Sequence, residues 1–247
     1  MLRGGIGSKN PIYFMKTILQ IASLTLGLAL SVHAADSGVI SGKVTLNGAP
    51  PAEKSIDMGA DKACKASHPE AVTTRHYVVD ANKGLANVFV YVKDGLAGKK
   101  FTAPTTPVSL DQHGCLYNPY VVGLQVGQPL EVSNSDQTTH NVHAMGTKNP
   151  EFNLGQPPSK KDQKIFTKPE VFVKFKCDVH PWMFAYVGVV DSPFFAVTGA
   201  DGSYKLTGLP PGEYTVAAIH PKAGEQTFKV KVAAAEVKQD FALAPKA

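Results

Sequence analysis

Cys177-Asp178-Val179-His180-Pro181-Trp182-Met183 puts a thiolate, an imidazole and a thioether within seven residues, at the end of a strand-like run. In that run Val171, Val173, Phe175 and Cys177 share one face while Lys174 and Lys176 take the other, so Cys177 closes a buried row. Beyond Met183, Ala185-Tyr186-Val187-Gly188-Val189-Val190 reads as a returning strand. The loop between them is short and held at both ends, which suits a rigid site.

These are soft donors. One Cys, two His and a weak axial Met suit a copper ion that changes oxidation state with little movement, so a second imidazole is needed. Thr139-His140-Asn141-Val142-His143 offers it. A period of two sets His140, Val142 and Ala144 on one face and Asn141 and His143 on the other. His140 is the candidate ligand, and His143 is expected to pack or hydrogen-bond on the far face. Zinc is the rival metal, but structural zinc usually shows two closely spaced donor pairs and rarely uses Met.

Residues 1–34 carry Arg3, Lys9 and Lys16 with no acid, then an apolar run from Thr17 to Leu30 and the small-residue exit Val32-His33-Ala34. This reads as a secretory signal cleaved after Ala34. The run is short for a membrane span, which leaves an uncleaved anchor as the lesser alternative and Met15 as an alternative start. Setting the three basic residues of that segment aside lowers the formal charge from +5 to +2. No basic face or motif for nucleic acid remains. Three cysteines are an odd count for an exported chain, and with Cys177 given to a metal, Cys64 and Cys115 remain as a disulfide pair.

The rest of the chain reads as β-structure. Gly38 to Pro50 alternates and closes on Asn47-Gly48, and Val88 to Val92 is a β-branched and aromatic run. Residues 51–80 read as a surface excursion pinned at Cys64, with His68 and His76 as solvated loop residues, and 146–170 as a long loop. His220 reads as structural.

The Cys177 to Met183 loop resembles that of amicyanin, and His140-Asn141-Val142-His143 resembles amicyanin's first ligand strand and, in its His-Asn part, that of plastocyanin. The resemblance covers roughly residues 107–191 and implies a cupredoxin: a Greek-key β-sandwich with copper held by His140, Cys177 and His180, Met183 axial, and Asn141 tying the two ligand segments beside the sulfur. Thr198 to Leu206 followed by Leu209 to Val216 resembles the carboxypeptidase-regulatory, transthyretin-like β-sandwich. The fold expected is therefore all-β, with a cupredoxin domain at 99–193 inserted in, or in tandem with, a sandwich formed by 38–98 and 194–247.

The function expected is a periplasmic or secreted, non-enzymatic carrier of single electrons with one type 1 copper. Pro181 and Trp182 would form a collar around a partly exposed edge of His180, facing a redox protein. Copper storage or delivery, and a carbohydrate-binding or adhesion module with a structural metal site, are the alternatives. A copper enzyme is disfavoured because Lys176 and Asp178, rather than a histidine that could wire a second centre, flank Cys177.

Overall fold

A computed structural model describes residues 37–246, and it is all-β apart from one helical turn. The expected signal segment, 1–34, lies outside the described residues. Among the described residues no helix is long and apolar enough to cross a membrane.

The described residues open with β1 (Gly38–Leu46), the short helix α1 (Lys62–Ala66) and β2 (Phe89–Asp94). A central set follows: β3 (Val108–Gln112), β4 (Tyr117–Asn118), β5 (Val121–Gln125), β6 (Pro129–Asn134), β7 (His140–Met145), β8 (Phe152–Gln156), β9 (Lys161–Ile165), β10 (Glu170–Lys176) and β11 (Phe184–Val190). The chain ends with β12 (Phe195–Val197), β13 (Ser203–Leu209), β14 (Gly212–His220), β15 (Gly224–Val232), β16 (Glu236–Lys238) and β17 (Phe241–Leu243).

The central strands form two sheets, in the orders β5-β11-β10-β7-β8 and β4-β3-β6-β9, closed over a core that includes Leu110, Leu130, Val142, Val173, Phe175 and Val187. The outer strands form two more, β13-β1-β16 with β17 also on β1, and β12-β2-β14-β15, over a core that includes Ile40, Val44, Leu85, Val90, Leu206 and Val216. The first strands of the chain thus pair with its last ones across the whole central set: β1 with β13, and β2 with β14.

A third apolar cluster joins the two halves. Phe89 of β2 and Phe195 of β12 pack on β5 and β11 at Gly123 and Gly188, which lie side by side in register. A Cβ at Gly123 would come within 2.5 Å of the Phe89 ring, and one at Gly188 within 2.8 Å. The two glycines form a slot that only hydrogen leaves open to an aromatic ring.

Three readings change. Residues 146–170 hold β8 and β9, each bound to a neighbour through its backbone, in place of a long loop. The pairing of β10 with β11 shifts between Glu170 and Val173, so Val171 leaves the row of Val173, Phe175 and Cys177 and packs in the joining cluster. His68 and His76 are half-buried rather than solvated: His68 Nε2 bonds the Gly114 carbonyl at 2.6 Å, and His76 stacks on Phe184.

Candidate metal centre

Strands β7 and β10 pair antiparallel, with His143 opposite Lys176, so the start of β7 and the residue after β10 lie at the same end of the sheet. That register brings His140 next to Cys177. The loop from 177 to 183 is closed by the Cys177 N–H on the Met183 carbonyl at 3.0 Å and the Met183 N–H on the His180 carbonyl at 2.9 Å. This tight fold returns His180 over the sulfur.

The donors converge. Nδ1 of His140 lies 2.9 Å from Nδ1 of His180, and that nitrogen lies 3.7 Å from Cys177 Sγ. His140, Cys177, His180 and Met183 are all buried, at 0, 1, 3 and 0 % exposure. Met183 belongs to the same core cluster as Cys177. Asn141 binds both segments: its N–H reaches Cys177 Sγ at 3.5 Å, and its Oδ1 accepts the Asp178 N–H at 2.6 Å and the Cys177 thiol at 3.3 Å. His143 is on the other face of β7, between Asp178 and Glu151.

The charges match this geometry. Burial opposes the charge on His140, but the bond to Asp136 and the neighbouring Cys177 sulfur outweigh it and hold the pKa up at about 9. His180 moves down, through burial and then the charge of His140. Burial would raise the Cys177 thiol, yet the bond to His140 and the N–H groups of Asn141, His180 and Val179 bring it below the ordinary value. Two ring nitrogens 2.9 Å apart beside a sulfur are close enough to share one proton or to approach one ion. A proton between them makes an ordinary N–H···N bond, and a metal ion bonded to imidazole nitrogens at about 2.0 Å would replace that proton after a small outward movement of the rings. The donor set fits copper, because sulfur suits Cu(I) and imidazole serves both oxidation states.

The Cys64–Cys115 disulfide is present, with Cα atoms 5.4 Å apart across 51 residues of chain. A loop of that size contributes about 4 kcal/mol in the chain-entropy view. Its position is what the sequence does not show. Cys64 Sγ lies 3.6 Å from His180 Nε2, and Asp61, which caps α1, lies 3.3 Å from the same nitrogen. The edge of His180 expected to be partly exposed is therefore covered, because the excursion before β2 folds over the loop. Trp182 is half-buried, donates its ring N–H to the Cys115 carbonyl at 3.0 Å and sits 5.2 Å from the His180 ring; Pro181 beside it is exposed.

Sequence reasoning missed Asp61 and Asp136. Asp136 Oδ2 meets His140 Nε2 at 2.9 Å, and both carboxylates lie below their ordinary pKa, Asp61 at about 2 chiefly through the Cys64 N–H and Asp136 because its bonds to His140, Cys115 and Gly114 overcome burial. Asp61 followed by a short helix could have been recognised as a cap, but nothing in its neighbourhood points to a histidine 119 residues away.

No protein-family model matches the chain, and no curated protein does. Similar solved structures are copper proteins. A copper-containing nitrite reductase from Thermus scotoductus SA-01 matches at 23 % identity and a TM-score of 0.33, over 39 % of this chain and 25 % of its own, so the chain spans only a quarter of that protein. A purple cupredoxin from Nitrosopumilus maritimus matches at 20 % identity and 0.29, over 33 % of this chain and 97 % of its own. A variant amicyanin in its Cu(I) form matches at 20 % identity and 0.30, over 40 % of this chain and 97 % of its own. The transthyretin-like family is not among these neighbours.

Proposed function

We propose that this protein carries single electrons through one type 1 copper that His140, Cys177 and His180 would hold, with Met183 as a further, weak donor, and that it is not an enzyme. The observation that supports this is the convergence of two Nδ1 atoms and one sulfur in a buried pocket, within 4.8 Å of one another. A copper ion held there supplies a one-electron Cu(II)/Cu(I) couple. The chain supplies the frame. Asn141 restrains the sulfur and the Asp178 backbone together, β10 and β11 clamp the loop at both ends, and burial excludes water from the donors. A site held in this way changes shape little between oxidation states. Lys176 and Asp178 beside Cys177 leave no histidine to join a second metal centre.

The disulfide supports a periplasmic or secreted setting, with a redox protein as the partner. In this reading the outer strands, β1, β2 and β12 to β17, belong to a carboxypeptidase-regulatory-like module of residues 38–98 and 194–247 into which the cupredoxin is inserted. Trp182, 5.2 Å from the His180 ring, and the exposed Pro181 beside it form the route for electrons.

Copper added to the purified protein should give intense visible absorption, and Cys177→Ser should abolish it. His140→Ala and His180→Ala should each perturb the band strongly, while His143→Ala, on the far face of β7, should leave it. Uptake of copper without colour, or preference for zinc with all four residues intact, would replace the carrier with a storage or structural site.

A further inference from the structure

Each ring in the centre has a second nitrogen, and each of these meets a carboxylate. Asp136 Oδ2 lies 2.9 Å from His140 Nε2 and accepts the Cys115 N–H at 2.7 Å, while its Oδ1 accepts the Gly114 N–H at 2.6 Å. Asp61 Oδ2 lies 3.3 Å from His180 Nε2 and accepts the Thr138 hydroxyl at 2.8 Å, while its Oδ1 accepts the N–H groups of Ala63 and Cys64 at 2.8 and 3.0 Å. Cys64 and Cys115 are the two halves of the disulfide. Each carboxylate is therefore bound to the backbone of one half-cystine and to one of the two rings. The arrangement is paired although it is assembled from four stretches of chain, at Asp61 to Cys64, Gly114 to Cys115, Asp136 to His140, and His180. An acceptor at Nε2 commits the ring proton to that side and turns the Nδ1 lone pair toward Cys177, as partners of metal-bound imidazoles do.

We propose that Asp61 and Asp136 are a matched pair of positioning residues, mounted on the two ends of the Cys64–Cys115 disulfide, that fix His180 and His140 with Nδ1 toward Cys177 and place two negative charges behind the metal-binding nitrogens. The consequence for the metal rests on the copper reading above; the orientation of the rings does not. Two carboxylates at this distance favour the more highly charged ion, so the pair stabilises Cu(II) relative to Cu(I) and sets a lower reduction potential than neutral partners would. A purely structural role differs in its signature. Asp61 would then only cap α1 and Asp136 only brace the turn at Gly114, and their loss would lower thermal stability without touching the rings.

The full chain carrying Asp61→Asn, Asp136→Asn, the corresponding Ala variants, or Cys64→Ser with Cys115→Ser tests this. The Asn variants keep an oxygen acceptor and the side-chain shape, and so guard against loss of fold. Proton–nitrogen NMR of the imidazoles, without added metal and with zinc bound, reads the ring N–H groups directly. Both Nε2–H signals should be protected from solvent exchange in the wild type. Asp136→Ala should speed exchange of the His140 signal about tenfold or more and leave that of His180, Asp61→Ala should do the reverse, and the double Ser variant should speed both. With copper, each Asn variant should bind Cu(II) about 10- to 100-fold more weakly, the range usual for such partners, lose less affinity for Cu(I), and show a higher reduction potential. Lower melting temperatures with unchanged exchange and an unchanged Cu(II)-to-Cu(I) affinity ratio would overturn the proposal. Protected ring N–H groups in a wild type that refuses copper would support the pair and refute the copper reading instead.

Discussion

Met183 is fully buried beside Cys177, and its thioether is the softest of the candidate donors after the thiolate. Met183→Leu keeps the volume, so stability should fall by less than about 1.5 kcal/mol. Removing a donor disfavours Cu(II) more than Cu(I), so the colour should remain while the potential measured by voltammetry rises; complete loss of copper would make Met183 a principal ligand. At this scale, what could be read from the sequence was whatever depends on local periodicity. The alternation of β7 separates His140 from His143, and the spacing within the loop gathers Cys177, His180 and Met183. The carboxylates could not be read in that way. Asp136 lies only four residues before His140, but the turn that aims it at the ring is closed by N–H groups of Gly114 and Cys115, more than 20 residues upstream.

The turn between β7 and β8 is held by one side chain from β10. Glu170 accepts the N–H groups of Lys148 and Asn149 at 3.1 and 3.0 Å and the Thr147 hydroxyl at 2.9 Å. Burial penalises its charge, but the N–H groups of Thr147 and Asn149 outweigh that and hold the pKa down at about 2. The unfolded chain binds the proton more readily, so this contribution is complete above the ordinary value near 4.5 and is lost as pH falls toward 2. Glu170→Gln should cost about 2 kcal/mol at pH 7, a typical loss for bonds to a charged group. Urea titrations should show the gap between wild type and variant narrowing from pH 5 to pH 3, and a constant gap would exclude the charge as its cause. The same region shows why elements were misread. β9, Lys161-Asp162-Gln163-Lys164-Ile165, is a strand because Pro129–Ser133 offers it a free backbone edge, and its side chains carry almost no trace of that. Strands with a buried face, such as β7 and most of β10, were legible, whereas this edge strand was not.

Across the whole molecule the joint is the slot at Gly123 and Gly188, filled by Phe89. Gly123→Ala should cost about 1–3 kcal/mol through overpacking against that ring. Pairing it with Phe89→Leu should recover part of the loss, and strict additivity of the two in thermal unfolding would show that the ring and the glycine do not meet. Such long-range closure, with β1 and β2 completed only by strands after residue 194, was foreshadowed in the sequence only by a motif divided between its two ends. The roof over His180 follows the same logic: Asp61 and Cys64 precede β2, and the loop they cover begins more than 110 residues later. A gene fragment beginning at residue 99 would encode every candidate donor yet leave Cys115 a lone thiol and the His180 edge open to water. Duplicated or fused elsewhere, it would meet oxidants and foreign thiols at its most reactive corner. Transplanted intact, the centre would have to bring the excursion before β2 with it, since Asp61 and Cys64 are what cover that imidazole.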